Sequence, residues 1–156
     1  MPLAKKLIKR LIKDRLSLAL AESASGGYAS YLLTQTPGAS KIFKGSLIVY
    51  SMEAKNKLLG LKIKLLKKNQ GVSKTIALAL AKKVRKKFNA DIGGALVGFA
   101  GPAAPRKNKL GTFFVAVSSK NKSLVKKIVL KGSRDQLRKK SSRLLIQLIY
   151  ASLHCH

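Results

Sequence analysis

The segment Glu22-Ser23-Ala24-Ser25-Gly26-Gly27 sets hydroxyls and two glycines between an apolar run and a helical pattern. A serine on a tight strand-to-helix turn, with glycines that let backbone N–H groups face a ligand, suits a nucleophile beside a developing oxyanion or a phosphate at a helix start. The same residues suit a plain helix cap. Further on, Tyr50-Ser51-Met52-Glu53-Ala54-Lys55 brings a phenol, a carboxylate and an amine after a second apolar run. A lysine whose pKa is lowered by burial and neighbouring cations can take the proton of a serine. In a chain with 33 Lys and Arg, Lys55 also reads as one more solvated side chain.

Other chemistries lack their residues. The only histidines are His154 and His156, in the terminal tail, which argues against a Ser-His-Asp arrangement. Neither G-x-x-x-x-G-K nor G-x-G-x-x-G occurs, which argues against a P-loop or Rossmann site. Cys155 is the single cysteine, so no internal disulfide forms, and His154-Cys155-His156 offers too few fixed ligands for a metal. Neither a metal nor a cofactor is expected.

The formal charge of +28 exceeds what solubility requires. It fits either a nucleic-acid or anionic-membrane surface, or a lysine-heavy solvated exterior. The basic residues spread along the whole chain, and there is no Trp, zinc-finger spacing or basic-aromatic ladder. Nucleic-acid binding is therefore expected only as nonspecific attraction that is lost with salt. Of the five acids, Glu22, Glu53, Asp91 and Asp135 lie in or beside the segments that carry chemistry, which marks them as candidates for specific tasks. The apolar run Leu16–Ala21 is too short for a secretory signal, and no segment is long enough to span a bilayer. A cytoplasmic chain without membrane insertion is expected.

The elements that must carry these residues follow from periodicity. Residues 3–14 read as an amphipathic helix, Leu16–Ala21 as a buried strand, and 26–35 as a helix stopped by Thr36-Pro37-Gly38. A strand over Ile42–Tyr50 leads to a helix that Ser51 caps and Gly60 ends, followed by a helical stretch at 62–69. Ser73 caps a longer helix with Ile76, Leu80, Val84 and Phe88 on one face. Ile92–Phe99 is a strand buried on both faces. Leu110–Ser118 and Leu124–Lys131 form a hairpin, and Ser133 with Gln136 makes a capping box for a last helix that turns Leu137, Leu144, Leu145 and Leu148 inward.

A chain of 156 residues in this order forms one domain, residues 1–156. The expected fold is a three-layer α/β/α sandwich around a five-stranded, mixed but mostly parallel sheet, with the fourth strand antiparallel. Glu22–Gly27, Tyr50–Lys55, Gly98–Pro105, Gly111-Thr112 and Gly132–Arg134 then all emerge at the carboxyl edge of the sheet, where open α/β sheets bind ligands.

Taken in order, Ala21–Gly27 (AESASGG), Tyr50–Lys55 (YSMEAK), Gly71-Val72-Ser73, Gly98–Pro102 (GFAGP), Gly111-Thr112 and Gly132-Ser133-Arg134 resemble the motifs of the CinA C-terminal domain, or nicotinamide-nucleotide amidase, family over about residues 15–152. The resemblance implies hydrolysis of the carboxamide of nicotinamide mononucleotide to nicotinate mononucleotide and ammonia. It implies Ser23 as nucleophile, Lys55 as its base and Tyr50 as an assisting hydrogen-bonding group. Ser25, Gly26, Gly27, Gly101, Thr112 and Arg134 are implied as substrate-binding, with the glycine amides at the oxyanion and Arg134 or the Gly98–Pro102 loop at the phosphate. A homodimer or larger assembly is also implied.

Departures from the family pattern include Ala24 for Cys, Ser25 for Thr, Met52 for Asn, Val97 for a hydroxyl residue, Ala103-Ala104-Pro105 for a glycine-rich loop, and Ser133 for Asp. Met52 and Val97 are expected to remove hydrogen-bonding groups from the pocket, at a cost of about 1–3 kcal/mol for a lost polar contact. A catalytically weakened nucleotide-binding relative is therefore the alternative function, and a nucleic-acid-associated competence protein a further one.

Overall fold

The structure, a computed structural model, describes residues 1–106 and 109–154. Its elements are α1 (Leu3–Asp14), β1 (Leu18–Glu22), α2 (Tyr28–Thr34), a 3₁₀ turn (Ala39–Lys41), β2 (Phe43–Ile48), α3 (Met52–Leu59), α4 (Ile63–Lys68), α5 (Lys74–Lys87), β3 (Ile92–Gly98), β4 (Thr112–Ser118), β5 (Ser123–Val129) and α6 (Arg134–Ser152).

The sheet order is β2-β1-β3-β4-β5. β1 pairs in parallel with both β2 and β3, while β4 runs antiparallel between β3 and β5. Four strands therefore point one way and the fourth opposes them. Neighbouring parallel strands need crossovers, which the intervening helices supply.

Period-two alternation divides the inner strands β1, β3 and β4 between two cores. Leu18, Leu20, Leu96, Phe113 and Val115 face a layer formed by α1, α2 and α6, where Leu7, Leu11, Leu33, Leu145 and Ile149 are buried. Ala19, Ala21, Ala95, Val97 and Ala116 face the other layer, with Leu66, Ile76, Leu80 and Val84. The small residues on this second face let α5 lie close against the sheet. Gly93 is the extreme case, since a Cβ there would sit 2.0 Å from the carbonyl oxygen of Ala81 on α5.

Local chemistry sets the helix ends. The side chains of Ser51, Ser73 and Ser133 accept from Ala54, Ile76 and Gln136 amides, and Gln136 returns the bond to complete a capping box. Gly60 ends α3 in the left-handed conformation that glycine adopts without strain. On α6, Leu137 and Leu145 are buried, whereas Leu144 and Leu148 are only partly covered and Ile146 and Ile149 complete the inner face.

Candidate active site

β1 is buried along its whole length and ends at Glu22, so Ser23 leaves from the middle of the sheet. The Ser23 amide donates to Leu96 O at 3.0 Å, which extends the β1–β3 ladder by one residue and pins the backbone. The chain then turns sharply, with the Gly26 amide donating to Ser23 O at 3.0 Å. Gly26 and Gly27 both have positive φ, 59° and 97°, which glycine adopts without strain.

Glu22 explains why this turn is stable. Its carboxylate is fully buried and accepts from Ser25 Oγ at 2.7 Å, Ala29 N at 3.0 Å, Ser30 N at 2.8 Å and Ser30 Oγ at 2.5 Å. Two of these donors are first-turn amides of α2, which have no partner within the helix, and the positive end of the helix dipole favours the negative charge. Gly27, the N-cap position, has no side chain to serve them. Sequence reasoning marked Glu22 as a scarce acid; a carboxylate shortly before a helix start was the signal for this capping role.

Lys55 arrives from the first turn of α3 and is 2 % exposed. Its Nζ lies 3.0 Å from Ser23 Oγ and 3.4 Å from Tyr50 O. Burial disfavours the ammonium and lowers the pKa of Lys55 to about 8. Gly71, whose φ of +78° favours glycine, lies against it: an added Cβ there would meet the amine at 3.6 Å, an ordinary van der Waals contact.

Ser23 and Lys55 border a cavity of about 220 Å³ together with Tyr50, Gly98, Gly101 and Arg134, among others. A second cavity, of about 360 Å³, shares Gln70, Val72 and Phe99 with the first. The two therefore adjoin.

The remaining predicted residues divide by position. Tyr50 meets the Ser23–Lys55 pair through its main-chain carbonyl; its side chain is 59 % exposed, and the phenol oxygen accepts from Arg134 Nη2 at 2.8 Å. Arg134 also donates through Nη1 to Gly101 O, so Arg134 and Gly101 form one wall of the first cavity. Thr112 is buried and lines the second cavity rather than the first. Ser25, Gly26 and Gly27 line neither. Ser25 is tied to Glu22 through its hydroxyl, and its carbonyl accepts from Arg138 Nη2 at 3.0 Å. The Gly26 amide is occupied by Ser23 O; Ala24, which follows the serine in the chain and lines the first cavity, has an amide without a hydrogen bond among the described residues.

Two sequence expectations about this pocket are corrected. Val97 points away from it into the core beneath α5 and is fully buried. Met52 is 39 % exposed on α3 beside Gly71 and does not line the cavity. Neither replacement removes a polar group from the wall around Ser23. The other acids also stand apart: Glu53 pairs with Lys57, Asp135 with Lys139, and Asp91 accepts from Ser17 at the opposite edge of the sheet.

No group of three or more His, Cys, Asp or Glu residues placed to hold a metal occurs among the described residues, and Cys155 and His156 lie outside them. No helix among the described residues is long and apolar enough to cross a membrane.

Comparison with known proteins supplies a frame for this geometry. The family model for the CinA C-terminal domain matches residues 1–153. A relative from Caldanaerobacter subterraneus subsp. tengcongensis, which carries a competence-damage inducible name, is 39% identical over 136 residues. The match covers 86% of this chain and 33% of that protein, so the chain spans about a third of the length of the curated relatives it resembles. Among solved structures, a competence or damage-inducible protein from Enterobacter asburiae superposes with a TM-score of 0.92 at 28% identity, covering 97% of this chain and 96% of that one. A competence-damaged protein (CinA) superfamily protein from Escherichia coli gives 0.90 at 25% identity, covering 96% and 88%.

Proposed function

The chain belongs to the CinA C-terminal domain family, and on that premise we propose that it is a nicotinamide-nucleotide amidase working through Ser23 and Lys55. The observation that carries the proposal is the 3.0 Å contact between a serine hydroxyl and a buried lysine amine at the mouth of a cavity.

With a pKa of about 8, roughly a tenth of Lys55 is the free amine at pH 7. In that form Nζ accepts the proton of Ser23 as Oγ attacks the carboxamide carbon. Negative charge develops on the carboxamide oxygen, for which the unpartnered Ala24 amide is our candidate donor. The protonated Lys55 then returns the proton to the leaving nitrogen, ammonia departs, and an ester to Ser23 remains. Water repeats the cycle: Lys55 takes its proton, the hydroxide oxygen attacks the ester carbon, and the acid is released as Ser23 regains its hydrogen.

Arg134 offers five N–H donors, of which two serve Tyr50 and Gly101; the others suit the phosphate of a mononucleotide. We also expect a homo-oligomer, which light scattering in solution would read.

Ammonia release from nicotinamide mononucleotide tests the proposal. It should be lost in both Ser23→Ala and Lys55→Ala, and normal turnover in either variant would refute the pair. Tight nucleotide binding by calorimetry without ammonia would instead identify a catalytically weakened relative.

A further inference from the structure

The second cavity, of about 360 Å³, is larger than the one that Ser23 borders, and the Ser23–Lys55 chemistry leaves it unused. Its inner wall is held by the sheet. Thr112 and Phe114 share the face of β4 opposite the buried Phe113, and Phe99 is tied to the same edge: its amide donates to Thr112 O at 3.0 Å and its carbonyl accepts from the Gly111 amide at 2.8 Å. Lys68, at the end of α4, borders the cavity together with Arg106 and Lys109, from the segment between β3 and β4. We infer that this cavity is a seat for a phosphate ester, a phosphoryl group on an apolar body, held by Thr112, Arg106 and Lys109.

Thr112 is the observation that points to a ligand. The residue is 3 % exposed, and its hydroxyl makes no hydrogen bond among the described residues. That hydroxyl is not sealed in, as Ser46 Oγ and Arg85 Nε are, so a partner can reach it from the cavity that the residue lines. Buried polar groups are nearly always paired in native proteins, and a buried hydroxyl facing open space is a hydrogen-bonding position held for what enters there.

Charge selects the partner. Lys68, Arg106 and Lys109 form no ion pair among the described residues, and no acid among those residues lines the cavity. Three free cations and a hydroxyl suit a group with more than one negative charge and several acceptor oxygens, which a phosphate monoester supplies and a carboxylate does not. Phe99, Phe114 and Val72 add apolar wall, which an organic body covers better than a small hydrated ion. Because the two cavities adjoin, the ester arrives either as the far end of a molecule whose carboxamide lies at Ser23 or as a molecule of its own.

The seat does not rest on the amidase reading. Its test is calorimetric titration with phenyl phosphate, against benzoate, which carries one charge, and benzyl alcohol, which carries none. All three are titrated in about 0.2 M NaCl, where generic attraction to so basic a chain is screened. Phenyl phosphate should saturate, both controls should bind more weakly, and the Thr112 methyl resonance should shift along the same binding curve. Thr112→Val, which keeps the shape of the side chain and removes the hydroxyl, should weaken binding about threefold or more. Arg106→Gln with Lys109→Gln should weaken it about tenfold or more, and since both side chains are exposed their replacement does not threaten folding. Lys5→Gln with Lys9→Gln, which removes the same charge from α1 on the other face of the sheet, should leave affinity unchanged. In Ser23→Ala, excess nicotinamide mononucleotide should weaken phenyl phosphate binding if the seat takes the far end of a substrate, and leave it alone if the ester is a separate molecule. Unchanged affinity in either set of cavity variants, an equal loss in the α1 variant, benzoate binding as tightly as phenyl phosphate, or no saturation below about 10 mM would overturn the inference.

Discussion

Lys55→Met should make the protein more stable at neutral pH while abolishing its chemistry. Burial lowers the lysine pKa from 10.5 to about 8. At about 1.4 kcal/mol per unit, holding the ammonium in the folded state costs on the order of 3 kcal/mol at any pH below 8. Methionine keeps the length of the side chain and removes the charge, at the loss of the contacts to Ser23 Oγ and Tyr50 O, about 1 kcal/mol. The net gain at pH 7 is about 2 kcal/mol, or a rise in Tm of about 4–8 °C for a domain of this size. Because the folded pKa is depressed, the unfolded chain holds more protons between pH 8 and 10.5, and wild-type stability rises across that window. The advantage of the methionine variant should therefore fade by pH 10. Thermal unfolding by circular dichroism, both proteins at pH 7 and pH 10, isolates this effect, since the repulsion within so basic a chain is nearly common to the pair. A methionine variant less stable at pH 7, or a Tm difference equal at the two pH values, would refute the reasoning.

Three further outcomes follow from the same site. The kcat/KM for nicotinamide mononucleotide should climb about tenfold per pH unit up to about pH 8 and then level off, as expected for a base that must lose its proton; a flat profile from pH 6 to 9 would remove Lys55 from that role. Glu22→Ala should cost about 2–3 kcal/mol in urea unfolding by leaving the Ala29 and Ser30 amides uncapped, and an unchanged midpoint would show that the carboxylate is not what holds α2 in place. Tyr50→Phe should raise KM through the lost Arg134 contact, by less than about tenfold, and leave the pH midpoint of kcat/KM where it was, because the pair is met by the Tyr50 carbonyl; a shifted midpoint would place the phenol at the base.

What could be read from sequence alone was local or topological. Caps at Ser51, Ser73 and Ser133 involve partners three residues away, and the stop at Gly60 is a property of one residue's backbone freedom, so both were legible. The convergence of Ser23, Lys55, Gly101 and Arg134 was legible too, because strand direction fixes which loops share an edge. Side-chain direction beyond a strand end was not. Val97 belongs to the inward set of β3 because Ala95 does, a consequence of register that motif position does not carry. The Tyr50 side chain turns outward to Arg134, which lies 84 positions along the chain, and the partners of Glu22 became apparent only once α2 was seen to begin after a glycine cap.

The nucleophile is anchored to an interior strand that is paired on both sides, whereas the opposite wall hangs on the start of α6 and the segment following β3. Hydrogen–deuterium exchange should find the Ser23 amide among the slowest in the molecule, released only when the sheet itself opens. Variation that retunes which molecules are accepted can therefore accumulate around Gly101 and Arg134 without loosening the reacting serine, and directed evolution of specificity is best begun there.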